Sequence, residues 1–393
     1  MGVRFLALDR LRALAVVSMV QGHTFSALMK PDALPATVMQ WHALVHGLTA
    51  PAFLFGAGLA FGLATYPRYE LHRRGGPVLY QRLRRYAWLV LLGYALQLPG
   101  ASLLAALRMR GDELTPVLRV GPLHLIALCL MVCQLTALGI ESPRTHAVLA
   151  FVLGALVSAS SPYVYAASAG QLAGPLLGPW LDASSGSLFP IFPWASFAFF
   201  GVATGGLLAH RPRELPRSAL WISLGLLLTG SAYILFLSGI RLSDPRWFWH
   251  ASPLNTAFRI GLVLCLLGVL HRFAGAPTLV IASVEARGAR PLDSLEHTAC
   301  RPRESWTGLL ARHSLLAFVV HLLLLYGTPL TPSLNHHFGL SLDAPQACAV
   351  FAAVMLATLL AIRGWASLVQ ERRLEPDWVR AVLTVLGVLV LTR

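Results

Sequence analysis

Charge is scarce in this chain. Only 12% of its 393 residues are Asp, Glu, Lys or Arg, about half of what a stable soluble surface carries. A water-soluble globular domain is therefore excluded. Cysteine is scarce too: Cys129, Cys133, Cys265 and Cys348 lie in apolar runs and Cys300 in a polar loop, which leaves no disulfide framework and no metal-ligand spacing. Internal repeats and low-complexity linkers are missing, so residues 1–393 read as one domain. Apolar residues are abundant, at 56% of the chain with a mean hydropathy of +0.65. The fold class that follows is all-α, a polytopic integral membrane helical bundle. The net charge of +14 suggests nucleic acid at first sight. Its arginines fall in loops between apolar runs, however, and membrane topology accounts for them without a nucleic-acid partner.

Apolar segments of helix length fall near residues 6–29, 44–65, 86–104, 121–140, 146–161, 189–209, 218–239, 255–274, 308–327, 346–363 and 377–392, giving about eleven spans. The fifth and the last are short for a bilayer. The first has a long apolar core and no small-x-small cleavage site, so it reads as a retained span rather than a signal peptide. Arginines concentrate between Arg68 and Arg85, between His210 and Arg217, and from Arg272 to Arg312. That alternation puts the N-terminus in the cytoplasm and, with eleven spans, the C-terminus outside. The cytoplasmic loop at 276–307 reads as irregular, and the external stretch from Pro162 to Leu188 as a long loop ahead of a bent span entry at Phe189-Pro190-Ile191-Phe192-Pro193-Trp194.

On this map His23, His42, His46, His124 and His321 all fall toward the outer ends of spans. Any one of them alone is equally well read as a structural interfacial side chain, but five at one depth suggest a cavity. Arg12 and His23 are eleven residues apart, which returns them to within about 20° on one helix face and about 16 Å apart along the axis. Asp9, one turn before Arg12, can neutralise it, or both can simply anchor the helix at the inner interface. In the second span Gly58 and Gly62 allow a close helix neighbour, and Pro51 lies just below His46. Arg82, Arg84 and Arg85 at the inner mouth of the third span suit phosphate groups, or equally anionic membrane lipid. Asn255 and Arg259 enter the eighth span from the arginine-poor side, where Arg259 either snorkels outward or faces a polar cavity.

Basic groups at the inner mouth and histidines near the outer face suit transfer of an acyl group from a phosphate-bearing donor. An imidazole would act as general base or transient acyl carrier. A proton-coupled transporter or flippase-like protein would use the same residues as a proton relay, and the residue chemistry leaves both readings open.

The opening Arg4 and Leu8-Asp9-Arg10-Leu11-Arg12-Ala13-Leu14-Ala15, followed by His23, resembles the first-span signature of the transmembrane acyltransferase superfamily. Trp41-His42 through His46 and on to Gly58 is similar to the second-span motif of bacterial relatives of heparan-alpha-glucosaminide N-acetyltransferase. Arg82-Leu83-Arg84-Arg85, Leu91-Leu92-Gly93-Tyr94, Val120-Gly121-Pro122-Leu123-His124, Phe192-Pro193-Trp194 and Arg312-His313 through His321 follow in the family's order. The resemblance implies an enzyme of the inner cell membrane that uses acetyl-CoA, without a metal, to acetylate a sugar or hexosamine of a glycan. His46, His23, Asp9 and Arg12 would be catalytic and Arg82, Arg84 and Arg85 would hold the donor. His42, His124, Trp194, Asn255, Arg259 and His321 would line the substrate cavity. Assembly as a homodimer is left open. The sequence departs from the pattern at Ala13, where relatives carry glycine, at His124, where many carry glutamine, and in the extra sequence before the ninth span. These departures bear on the acceptor.

Overall fold

Four of the long helices begin where a proline follows a small residue: Gly76-Pro77, Gly121-Pro122, Ser142-Pro143 and Ser252-Pro253. Proline at the first helical position loses no hydrogen bond and presets the backbone. The serine hydroxyls add a cap, Ser142 accepting from the Thr145 amide and Ser252 from that of Leu254. The computed structural model describes residues 5–97, 108–110, 113, 115–210, 218–273, 305–327 and 332–370. Its principal helices are α1 (Leu6–Leu28), α2 (Ala36–His46), α3 (Thr49–Thr65), α4 (Pro77–Ala95), α5 (Pro122–Gly139), α6 (Pro143–Ala166), α7 (Ile191–His210), α8 (Ser218–Leu237), α9 (Pro253–Arg272), α10 (Trp306–Arg312), α11 (Ser314–Tyr326) and α12 (Ala344–Gln370). Among the described residues there is no strand, only an isolated bridge between Met29 and Leu342.

The chain is an integral membrane protein, all helical and polytopic. Seven helical stretches among the described residues are long and apolar enough to cross a membrane, and an eighth is completed if α10 and α11 count as one broken span. Helices α1 and α4 run 23 and 19 residues and carry the charges of Asp9, Arg10 and Arg12, and of Arg82, Arg84 and Arg85. Helices thus stand at ten of the eleven expected segments, and the segment 377–392 lies outside the described residues.

Three expectations need correction. The fifth span is a full 24-residue helix that continues through Pro162 to Ala166; the polar Pro143-Arg144-Thr145-His146 start hides its true length. The external stretch is not one loop, since helices form at Ala169–Leu172 and Gly174–Leu181. The ninth span is broken at His313, where the axis turns by 83°, an event that an average over hydropathy cannot register. Of the loop at 276–307, residues 276–304 lie outside the described residues and Trp306 already opens α10.

Helix α1 is the centre of the bundle, touching α3, α9, α10, α11 and α12. Its buried residues fall on every side, from Leu8 and Leu11 to Val16, Val20 and Leu28. One core joins α1 to α10, α11 and α12; another joins it to α3, α8 and α9. A third core fills the space between α3, α5, α6 and α7. The glycine spacing in α3 works as expected: a Cβ on Gly58 would overlap the Ala198 carbonyl, and one on Gly201 that of Phe55, while Gly62 and Gly205 face each other lower down. Here α3 and α7 meet backbone to backbone. Phe192 interrupts the start of α7 with φ −93° and ψ 121° before the cis Phe192-Pro193 bond, so the entry bends as the two prolines suggest.

Candidate active site

Gly22 makes the site possible. It sits in the penultimate turn of α1, and a Cβ there would overlap the imidazole of His46, which arrives from the last residue of α2 and brings its Cε1 and both ring nitrogens up to the α1 backbone. On one side of this contact His46 stacks with His42, ring centres 5.9 Å apart, and the His42 Nε2 is 2.8 Å from the Gln21 side-chain nitrogen and 3.2 Å from its oxygen. On the other side His23 Nδ1 is 2.9 Å from His321 Nε2. The His321 Nδ1 meets the Ala317 carbonyl at 2.7 Å. Four histidines from α1, α2 and α11 thus converge on one turn of helix, with His321 fully buried and the other three half-buried.

Below this cluster the Ser18 and Thr49 hydroxyls, 2.6 Å apart, tie α1 to the start of α3. Farther down, Arg12 packs its aliphatic stem beside Gly56 and interacts with the charge of Asp9. Arg12 and His23 therefore fall on one face of α1, with Ser18 about 120° round the helix from Arg12. Arg259 reaches the cluster from α9. It is half-buried, its guanidinium lies over the Trp194 ring at 5.8 Å, and a terminal nitrogen stands within van der Waals reach of where a Gly47 Cβ would be. Its side chain thus packs between Trp194 and the α2–α3 junction. Asn255 donates to the Trp249 carbonyl at 2.8 Å, and among the described residues its buried side-chain oxygen has no hydrogen-bond partner.

Two groups of expected site residues lie apart from this cluster. His124 accepts from the Gly121 amide through Nδ1 at 2.9 Å and packs its ring on Tyr94 at 4.1 Å, with Trp180 at its edge; it caps α5. The five histidines therefore divide into four and one. Arg82 donates from one nitrogen to Thr65 at 2.8 Å and Gln134 at 2.9 Å, and its guanidinium covers Phe61. It braces α3, α4 and α5 at the end of α3 remote from His46, about 24 Å along that helix. Arg84 and Arg85, beside it, are exposed.

Residues 4–236 match the family model described as heparan-alpha-glucosaminide N-acetyltransferase, catalytic. The chain belongs to this family. No curated protein and no solved structure matches it. The N-acetyltransferase match takes in α1 to α7 and most of α8, and so His23, His42, His46 and the arginines of α4. Asn255, Arg259 and His321 lie beyond it. Sequence reading did not single out Gln21, Gly22, Ser18 or Thr49. A glutamine and a glycine immediately before His23, in an apolar helix, were the available signal.

Proposed function

We propose that this membrane protein transfers an acetyl group from acetyl-CoA to an amino sugar or other glycan acceptor, with the cluster at Gly22 as its reaction centre. The observation that carries the reading is the convergence of His23, His42, His46 and His321 on one turn of the central helix, in a chain of an N-acetyltransferase family. Imidazoles are suited to accept a proton from an amine or hydroxyl as it attacks a thioester, or to carry the acyl group briefly. His46 and His23 are assigned these roles. The Nδ1 of His46 is buried without a hydrogen-bond partner among the described residues, a place where a substrate donor group would be satisfied.

Arg84 and Arg85, with Arg82 behind them, suit the phosphates of the donor. At the other end of α3, Trp194, Asn255 and Arg259 suit the acceptor, offering an aromatic face and polar groups of the kind that orient sugars. Asp9 and Arg12 would keep the inner part of the α1 stripe polar and neutral overall. The setting is a multi-pass protein of a bacterial inner membrane, whose anionic lipid is the alternative partner of the same exposed arginines.

The test is to supply acetyl-labelled acetyl-CoA and a glucosamine-type acceptor to detergent-purified protein and to look for labelled product. Acetylated acceptor from wild type, and none from His23→Ala, supports the reading. Acceptor flux across proteoliposomes that is indifferent to acetyl-CoA contradicts it and points to a carrier.

A further inference from the structure

The hydrogen bonds around His321 determine more than proximity. A carbonyl oxygen only accepts, so the contact between His321 Nδ1 and the Ala317 carbonyl requires the proton on Nδ1. The ring is fully buried and has a carbonyl and another imidazole as its partners, which is the environment of a neutral ring. Its Nε2 is then a bare lone pair. The only way for His23 Nδ1 to sit 2.9 Å from it is to donate, which puts the His23 proton on Nδ1 and leaves the lone pair on His23 Nε2. Packing keeps the pair in place: the rings are nearly parallel, 26° apart with centres at 5.1 Å, and Phe318 stands edge-on to His321 at 5.8 Å.

We propose that His321, beyond the segment matched to the family, is a positioning residue that holds His23 in the Nδ1–H form and so presents His23 Nε2 as the base of the transfer. This rests on the acyl-transfer reading above. As the acceptor nitrogen attacks the thioester carbonyl carbon and the N–C bond forms, its proton passes to His23 Nε2. The resulting imidazolium is steadied through Nδ1–H by His321, whose own Nδ1–H is held by the Ala317 carbonyl. Breaking the C–S bond expels the CoA thiolate, which takes the proton back from Nε2. Acetylated acceptor and free CoA thiol leave, and His23 is neutral again. The logic is that of a base oriented by a third group, with a second imidazole and a carbonyl in place of a carboxylate. The groups facing His23 from the other elements are His46 and, stacked on it, His42 from α2. Arg259 stands at Gly47 on the α9 side.

The experiment uses full-length protein labelled with ¹⁵N-histidine in detergent. The wild-type spectrum, assigned by the loss of signals in His23→Gln, should show a protonated Nδ1 and an unprotonated Nε2 for His23. In His321→Leu the His23 signals should move to a mixture of tautomers. The kcat of His321→Leu should fall about 100-fold with the KM for acetyl-CoA within about twofold, and the alkaline-rising limb of its pH profile should shift. His321→Gln, whose side-chain oxygen can accept from His23 Nδ1, should recover most of the rate. A wild-type His23 protonated on Nε2, or wild-type kcat in a folded His321→Leu, overturns the proposal. Absence of any CoA release from wild type would instead overturn the acyl-transfer reading, and the spectrum alone would still decide whether His321 sets the tautomer.

Discussion

A single hydrogen atom at Gly22 decides whether His46 can reach the backbone of α1. Replacing it with a methyl is cheap for the helix, since alanine is the better helix former, but the new Cβ overlaps the His46 ring. Gly22→Ala should therefore keep its melting temperature in detergent and lose most of its acetyl transfer; unchanged turnover would remove the His46 contact from the mechanism. His124 gives the opposite expectation. Its ring nitrogen caps the first turn of α5, so His124→Ala should destabilise by about 1 kcal/mol and retain turnover, read by thermal melting beside the activity assay. At this scale the sequence shows which residue types are out of place in lipid. Histidines in apolar spans stand out, but spacing along separate helices cannot say which of them meet. His321 and His23 are separated by nearly 300 positions, and only folding brings them to 2.9 Å.

Among elements, the crossing of α3 and α7 sets the position of the α2–α3 junction and hence of His46. Its glycines let the two backbones touch, so Gly201→Ala, whose Cβ would run into the Phe55 carbonyl, should cost about 1–3 kcal/mol of stability. A melting temperature equal to wild type would contradict the packing account. The glycine pair in α3 was legible because small residues four apart are the signature of close helices, although its partner on α7 was not. Most spans were legible as apolar runs, and the bent start of α7 as two prolines. The break between α10 and α11 was not legible, because Arg312-His313-Ser314 interrupts the helix by backbone geometry while the flanking residues stay apolar. Helix α6 likewise runs past Pro162 to Ala166, where a proline reads as a stop.

For the molecule as a whole, α3 separates a charged end from a polar one. Arg84 and Arg85 lie by one end and the histidines by the other. Arg84→Ala and Arg85→Ala should weaken acetyl-CoA binding several-fold, measured by calorimetry, with no change in melting. Arg82→Ala should lower both, because Arg82 also ties Thr65 to Gln134. Unchanged donor affinity in both exposed variants would move the donor away from α4.

One measurement tests acetyl transfer at the histidine cluster most directly: saturable binding of acetyl-CoA to the detergent-purified protein, followed in the same tube by release of free CoA thiol on adding amino-sugar acceptors, for wild type and His46→Ala. Binding by both proteins with thiol release by wild type alone is the predicted result. No binding by wild type at millimolar acetyl-CoA, or equal release by His46→Ala, would contradict it.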